Sequence, residues 1–147
     1  MIYIDTNIIV SYMDEADANH SRAVKLIQSL RGEKLVTSRL ALVELASVYS
    51  RAGLEDPLAL ALYSIEESGV ELAEIDFNDA LSQAFRLSAE LRLRTLDLLH
   101  IMASKLLGAR YFATFDKDII NKKDLVARIG IRVISDKPTL GNSDNYD

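Results

Sequence analysis

The chain has 147 residues, 49% of them hydrophobic, and a formal charge of −5, which suits one globular domain with a real core and excludes a disordered chain. Zero Cys and only two His, His20 and His100, exclude a disulfide framework, a thiolate zinc site, a cysteine nucleophile and a multi-His zinc centre. No apolar run reaches the roughly 18 residues of a membrane span, and the first residues already read as a core strand rather than a signal peptide, so a cytoplasmic protein is expected.

Ile2-Tyr3-Ile4 is apolar on both faces, as a buried parallel strand requires, and Asp5 follows at its carboxyl end. Thr6 to Met13 reads as a short helix. A second helix runs from about Asn19 to Leu30, with Ala23, Leu26, Ile27 and Leu30 on one face. Leu35-Val36-Thr37 is a brief strand. Ser38 caps a helix from Arg39 to about Arg51. Asp56-Pro57 restarts a helix that reaches Ser68-Gly69.

Val70 to Ile75 reads as a strand, and Asp76 caps a helix from Asn78 to about Leu91. Thr95 is expected to cap a helix from Leu96 to Leu107, stopped by Gly108. Tyr111 to Thr114 is a strand, Asp118 to Lys123 a helical turn, and Ile131 to Ile134 the last strand. Residues 1–135 make the domain, and 136–147 a polar tail. Strands alternating with helices imply a parallel sheet covered on both faces. The two apolar helices between Arg39 and Ser68 have no strand between them. The simpler reading packs them on each other, and the sharper one makes their apolar surplus a groove for a second copy or another partner.

Four acids stand out by position. Asp5 ends the first strand. Glu44 lies inside the third helix among apolar residues. Asp97 lies in the first turn of a later helix, and Asp116 just beyond a strand. Each has an ordinary explanation alone, as a cap, a solvated helix residue, a dipole partner or a turn acid. In a parallel sheet, however, strand ends and helix starts share one edge. Two carboxylates about 4 Å apart repel by roughly 4 kcal/mol at an effective dielectric near 20. Such a cluster needs a cation or raised pKa values. Oxygen donors suit Mg²⁺ or Mn²⁺, and such an ion supports phosphodiester hydrolysis. The negative charge argues against a broad nucleic-acid coat, not against a nucleic-acid substrate.

The stretches Ile4-Asp5-Thr6-Asn7, Val43-Glu44-Leu45-Ala46, Asp97 to Ala103 and Ala113-Thr114-Phe115-Asp116 together resemble the PIN-domain family. These are small metal-dependent ribonucleases that include the VapC-like toxins of toxin–antitoxin pairs. The similarity spans roughly Ile2 to Ser135. It implies a three-layer α/β/α sandwich around a central, mostly parallel five-stranded sheet. It implies that Asp5, Glu44, Asp97 and Asp116 bind Mg²⁺ or Mn²⁺ and orient a water for attack on RNA. Thr6, Asn7 and Thr114 match the polar residues that hold those acids in place. Arg39, Arg92, Arg94 and Lys117 are candidates for RNA phosphate contacts. Asp118 reads as a surface residue, and His100 as a packing or hydrogen-bonding residue. The expected partners are RNA, a small antitoxin and a second copy of the chain. A stand-alone processing nuclease and a non-catalytic protein-binding module are the competing roles. A dehalogenase-type phosphatase is disfavoured, because the position two residues after Asp5 is Asn7 and not an acid.

Overall fold

In the computed structural model, which describes residues 1–136, five short strands line up in the order β3-β2-β1-β4-β5. They are β1 (Ile2–Ile4), β2 (Leu35–Thr37), β3 (Glu71–Leu72), β4 (Tyr111–Ala113) and β5 (Arg132–Ile134). Every pairing is parallel, with Tyr3 opposite Val36 on one side and Phe112 on the other. The expected fold class is therefore observed. Most of the expected tail, residues 137–147, lies outside the described residues.

Strand periodicity divides the core. Ile2 and Ile4 point to one face, where they meet helices α1 (Thr6–Met13), α2 (His20–Ser29), α3 (Arg39–Arg51) and α4 (Pro57–Glu67). Tyr3 and Phe112 point to the other, against α5 (Phe77–Leu91), α6 (Thr95–Leu107), α7 (Lys117–Asn121) and α8 (Lys123–Ala127). Their rings stack with centroids 5.3 Å apart and planes 8° from parallel. Both are fully buried. Truncating Phe112 to Ala would cost about 3–5 kcal/mol.

Helices α3 and α4 do pack on each other, with the Tyr49 hydroxyl 2.7 Å from Ser64 Oγ in their interface. Val43, Leu58, Leu62 and Tyr63 remain exposed. Among the described residues no helix is long and apolar enough to cross a membrane.

Some expectations need correction. The third strand shrinks to Glu71–Leu72 because its only partner, β2, offers two register positions, Val36 and Thr37. Thr95 does not cap α6; Arg94 holds the cap position without a side-chain bond, and Thr95 is the first helical residue. Helix α5 starts at Phe77, one residue early, with Asp76 capping it as expected. The single turn after Asp116 is two short helices, α7 and α8.

The strand order creates the crevice. From β1 the sheet grows through β2 and β3 on one side and through β4 and β5 on the other. Helices following β1 and β4 pack on opposite faces, so the carboxyl ends of these two strands form the switch point where a parallel sheet places its crevice. Asp5 and Thr114 stand at those ends.

Candidate active site

Asp5 is buried, 5% exposed, and its carboxylate is fixed from three directions. It caps α1, accepting from the Thr6 backbone N–H at 2.8 Å. The Thr114 hydroxyl donates to its other oxygen at 2.7 Å, and the Asn7 amide donates there at 3.3 Å. Asn7 also donates to Thr114 Oγ1 at 3.2 Å and accepts from the Phe115 N–H at 3.2 Å. Thr114 Oγ1 accepts in turn from the Asp116 N–H at 2.9 Å. Thus Asn7 and Thr114 tie the end of β1 to the loop after β4. Thr6, Asn7 and Thr114 each donate a hydrogen bond to Asp5.

Glu44 reaches the same place from α3. Its Oε1 accepts from the Thr6 hydroxyl at 2.8 Å and from His100 Nε2. His100 Nε2 is also 4.0 Å from Asp5 Oδ1. One ligating atom from each of Asp5, Glu44 and His100 lies within 4.8 Å of the others. His100 is itself buried, and its Nδ1 meets the Tyr3 hydroxyl at 2.7 Å.

Asp97 and Asp116 form a looser pair. Asp97 sits in the first turn of α6, half-buried, and among the described residues its carboxylate takes no hydrogen bond. Asp116 caps α7 through the Asp118 N–H at 2.8 Å.

The electrostatics register the crowding. Burial, together with the charges of Asp116, Asp5 and Glu44 and against that of His100, pushes the Asp97 carboxyl up to about 6. Burial raises the Asp5 carboxyl as well; the charge of His100 and the Thr114 hydrogen bond oppose it, and Glu44 reinforces it. Glu44 behaves otherwise. Burial pushes it up, but the His100 hydrogen bond and charge and the Thr6 hydroxyl together hold it below the usual carboxylate range. Burial presses the His100 ring toward neutrality, and Glu44, Asp5 and Asp97 outweigh that and raise it.

A divalent cation fits this donor set. Asp5 and Glu44 meet at one point, with Asp97 coupled by charge to both and to Asp116. The Asp5 and Asp97 carboxyls are raised, and among the described residues Asp97 has no hydrogen-bond donor. Adding positive charge would relieve all of these at once.

The four side chains expected to contact phosphate are exposed. Arg39 opens α3 just after β2 and pairs with Glu74 at 2.8 Å. Arg94 precedes α6 and pairs with Asp118 at 3.9 Å. Lys117 opens α7. Arg92 ends α5 in the left-handed conformation, and its carbonyl accepts from Lys122 Nζ. Exposed pairs of this kind are worth little to stability. Asp118 is exposed, as expected. An apolar groove of about 460 Å³ adjoins Glu44, lined by Leu40, Val43, Val48, Phe77 and Leu96 with Arg39 and Arg51.

Sequence reading missed Tyr3 and Ser38 as parts of this centre. The available signal was a hydroxyl-bearing ring in a strand otherwise built of buried Ile.

The sequence model for the PIN domain matches residues 2–125. Comparison with curated protein sequences finds no match. Among solved structures, the chain is similar to the Mycobacterium tuberculosis VapC20, a Sarcin-Ricin loop cleaving toxin, with TM-score 0.63 and 18% identity over 82% of this chain and 94% of that one. It is similar to VapBC2 from Rickettsia felis, solved bound to a DNA fragment from its promoter, with TM-score 0.60 and 20% identity over 91% and 98%. It is also similar to FitAcB from Neisseria gonorrhoeae, with TM-score 0.62 and 16% identity over 91% and 96%. At these identities the likeness speaks for the fold.

Proposed function

The chain belongs to the PIN-domain family, and from that premise we propose that it is a Mg²⁺- or Mn²⁺-dependent endoribonuclease, the toxin of a VapBC-type toxin–antitoxin pair. The observation that carries this reading is the meeting of Asp5 and Glu44 at one crevice, with Asp97 electrostatically coupled to both and to Asp116. Asp5, Glu44, Asp97 and Asp116 would hold the ion. When bound, it supplies Lewis acidity and lowers the pKa of a water at the scissile phosphodiester.

The remaining work falls to the chain. Thr6, Asn7 and Thr114 keep the Asp5 carboxylate from turning, so its charge is set before substrate arrives. Carboxylate oxygens left free accept hydrogen bonds from the attacking water and orient it. Arg39, Arg92, Arg94 and Lys117 hold backbone phosphates and give register rather than sequence preference. A small antitoxin, or a second copy of the chain, covers the exposed apolar residues of α3 and α4, where Val43 and Leu58 are 68% and 69% exposed. The names of the Rickettsia and Neisseria structures, which pair two components, favour the toxin role over a stand-alone nuclease.

The test is incubation of the purified protein with structured and unstructured RNA, with Mn²⁺ or with chelator, beside Asp5→Asn. Cleavage that needs metal and disappears in the variant supports the proposal. RNA left intact under all conditions, or cut equally by the variant, rules it out.

A further inference from the structure

His100 is 1% exposed and is the one nitrogen base inside the acid cluster. Two roles are open to it. It can ligate an ion through Nε2, or it can donate a hydrogen bond through Nε2. The donor set alone does not choose, but the groups around the ring do.

Glu44 Oε1 faces Nε2 directly. If Nε2 carried a lone pair, two lone pairs would oppose each other in a buried site. A proton on Nε2 removes that repulsion and turns the contact into a charge-assisted hydrogen bond. The far side of the ring is arranged to match. The Tyr3 hydroxyl lies 2.7 Å from Nδ1 and 2.7 Å from Ser38 Oγ. Ser38 Oγ already accepts from the Leu40 N–H at 3.3 Å while capping α3, which leaves its own proton free to donate. For a neutral ring this gives one consistent direction: Ser38 donates to Tyr3, Tyr3 to Nδ1, and Nε2–H to Glu44. For a charged ring, Nδ1–H donates to Tyr3 instead, and Nε2–H still faces Glu44. In the neutral ring the tautomer is thus set by the partner of the other nitrogen, and in the charged ring both nitrogens carry protons.

We infer that Ser38, Tyr3 and His100 form a buried relay that locks Glu44 in place beside Asp5, with His100 a positioning residue that donates through Nε2 and not a ligand of the ion. This deepens the nuclease reading and rests on it. The relay spans the sheet: Tyr3 comes from β1, Ser38 from the cap of α3 and His100 from α6. It therefore couples the helix that carries Glu44 to the helix that carries Asp97.

The experiment uses the full chain labelled with ¹⁵N-histidine. The two histidines are separated by His20→Asn, and spectra are taken with chelator and with saturating Mg²⁺. The relay predicts a directly bonded proton on Nε2 in both states. Loss of that proton on adding Mg²⁺ makes the ring a metal ligand and overturns the inference. Tyr3→Phe should mix the two tautomers of the neutral ring; an unchanged tautomer and unchanged rate would remove Tyr3 from the relay. His100→Leu should lower kcat by about 10–100-fold with KM for RNA unchanged, and His100→Gln, which restores a donor toward Glu44, should recover most of it. The two readings fail separately. A wild-type chain that never cleaves RNA overturns the nuclease reading. A wild-type chain that cleaves, with His100→Leu cleaving equally fast, overturns the positioning role alone.

Discussion

The crevice has two halves built on opposite plans. In the first, Asp5 and Glu44 are each held by named donors: Thr6, Asn7 and Thr114 on one carboxylate, Thr6 and His100 on the other. In the second, Asp97 has no donor among the described residues, and Asp116 is bound only as a helix cap. The first half keeps its geometry without help. The second stores repulsion that only a proton or a cation relieves. A site organised this way is preorganised on the buried side and chargeable on the open side, which is how a protein can bind a hard cation reversibly without collapsing when it leaves.

Breaking the anchored half should have the largest effect. Asp5→Asn should reduce RNA cleavage by several orders of magnitude while the circular dichroism spectrum stays native, since Asn retains the volume and part of the hydrogen bonding. Thr114→Val comes next. It removes the donor to Asp5 and the acceptor for Asn7 and Asp116 together. It should cost about 1–3 kcal/mol in urea unfolding, because a buried carboxylate loses a partner. Cleavage should fall by about 10–100-fold.

The chargeable half is tested through stability. Saturation of the wild-type chain at 100 times Kd should stabilise it by about 2.7 kcal/mol, read as a rise in Tm with Mg²⁺ or Mn²⁺. Asp97→Asn should act in the metal-free protein. The Asp97 carboxyl titrates at about 6 when folded, above its ordinary 3.8, so its ionised form opposes folding. Metal-free stability should therefore fall as pH rises from 3.8 to about 6. The variant should show a flatter Tm profile across that window and a Tm a few degrees higher at pH 7. A lower Tm at pH 7 would mean that Asp97 makes a favourable contact the folded geometry does not show. The smallest effect is expected of Asp118→Asn, which loses only an exposed pair with Arg94 at 3.9 Å. Activity near wild type is the expected reading, and a collapse would place Asp118 among the metal-holding acids.

What could be read from sequence follows the range of the interactions. Asp5, Ser38, Asp56 and Asp76 were legible as caps because a cap bond closes within three residues. The parallel sheet was legible in the doubly apolar run Ile2–Ile4. The third strand was overdrawn because its length is set by β2, not by Val70 to Ile75. Thr95 misled for a related reason: the chain enters α6 one residue earlier than the cap preference suggests. Helix α8 contributes one fully buried side chain, Val126, and five residues carry too little periodicity to announce a helix.

Within the crevice, the acids could be nominated because strand ends and helix starts converge on one edge of any parallel sheet. Their partners could not. Tyr3 meets His100 across 97 positions and His100 meets Glu44 across 56, so nothing local in the sequence links the three. The resemblance named Thr6, Asn7 and Thr114, and the structure gives each a specific oxygen.

The central claim is that acids from four separate segments share one divalent ion, and its most exposed point is Asp97, which is linked to Asp5 by charge rather than by a hydrogen bond. The direct measurement is Mn²⁺ affinity by calorimetry for the wild type, Asp5→Asn and Asp97→Asn. The account predicts that both substitutions weaken binding. Asp97→Asn binding Mn²⁺ as tightly as wild type would contradict it.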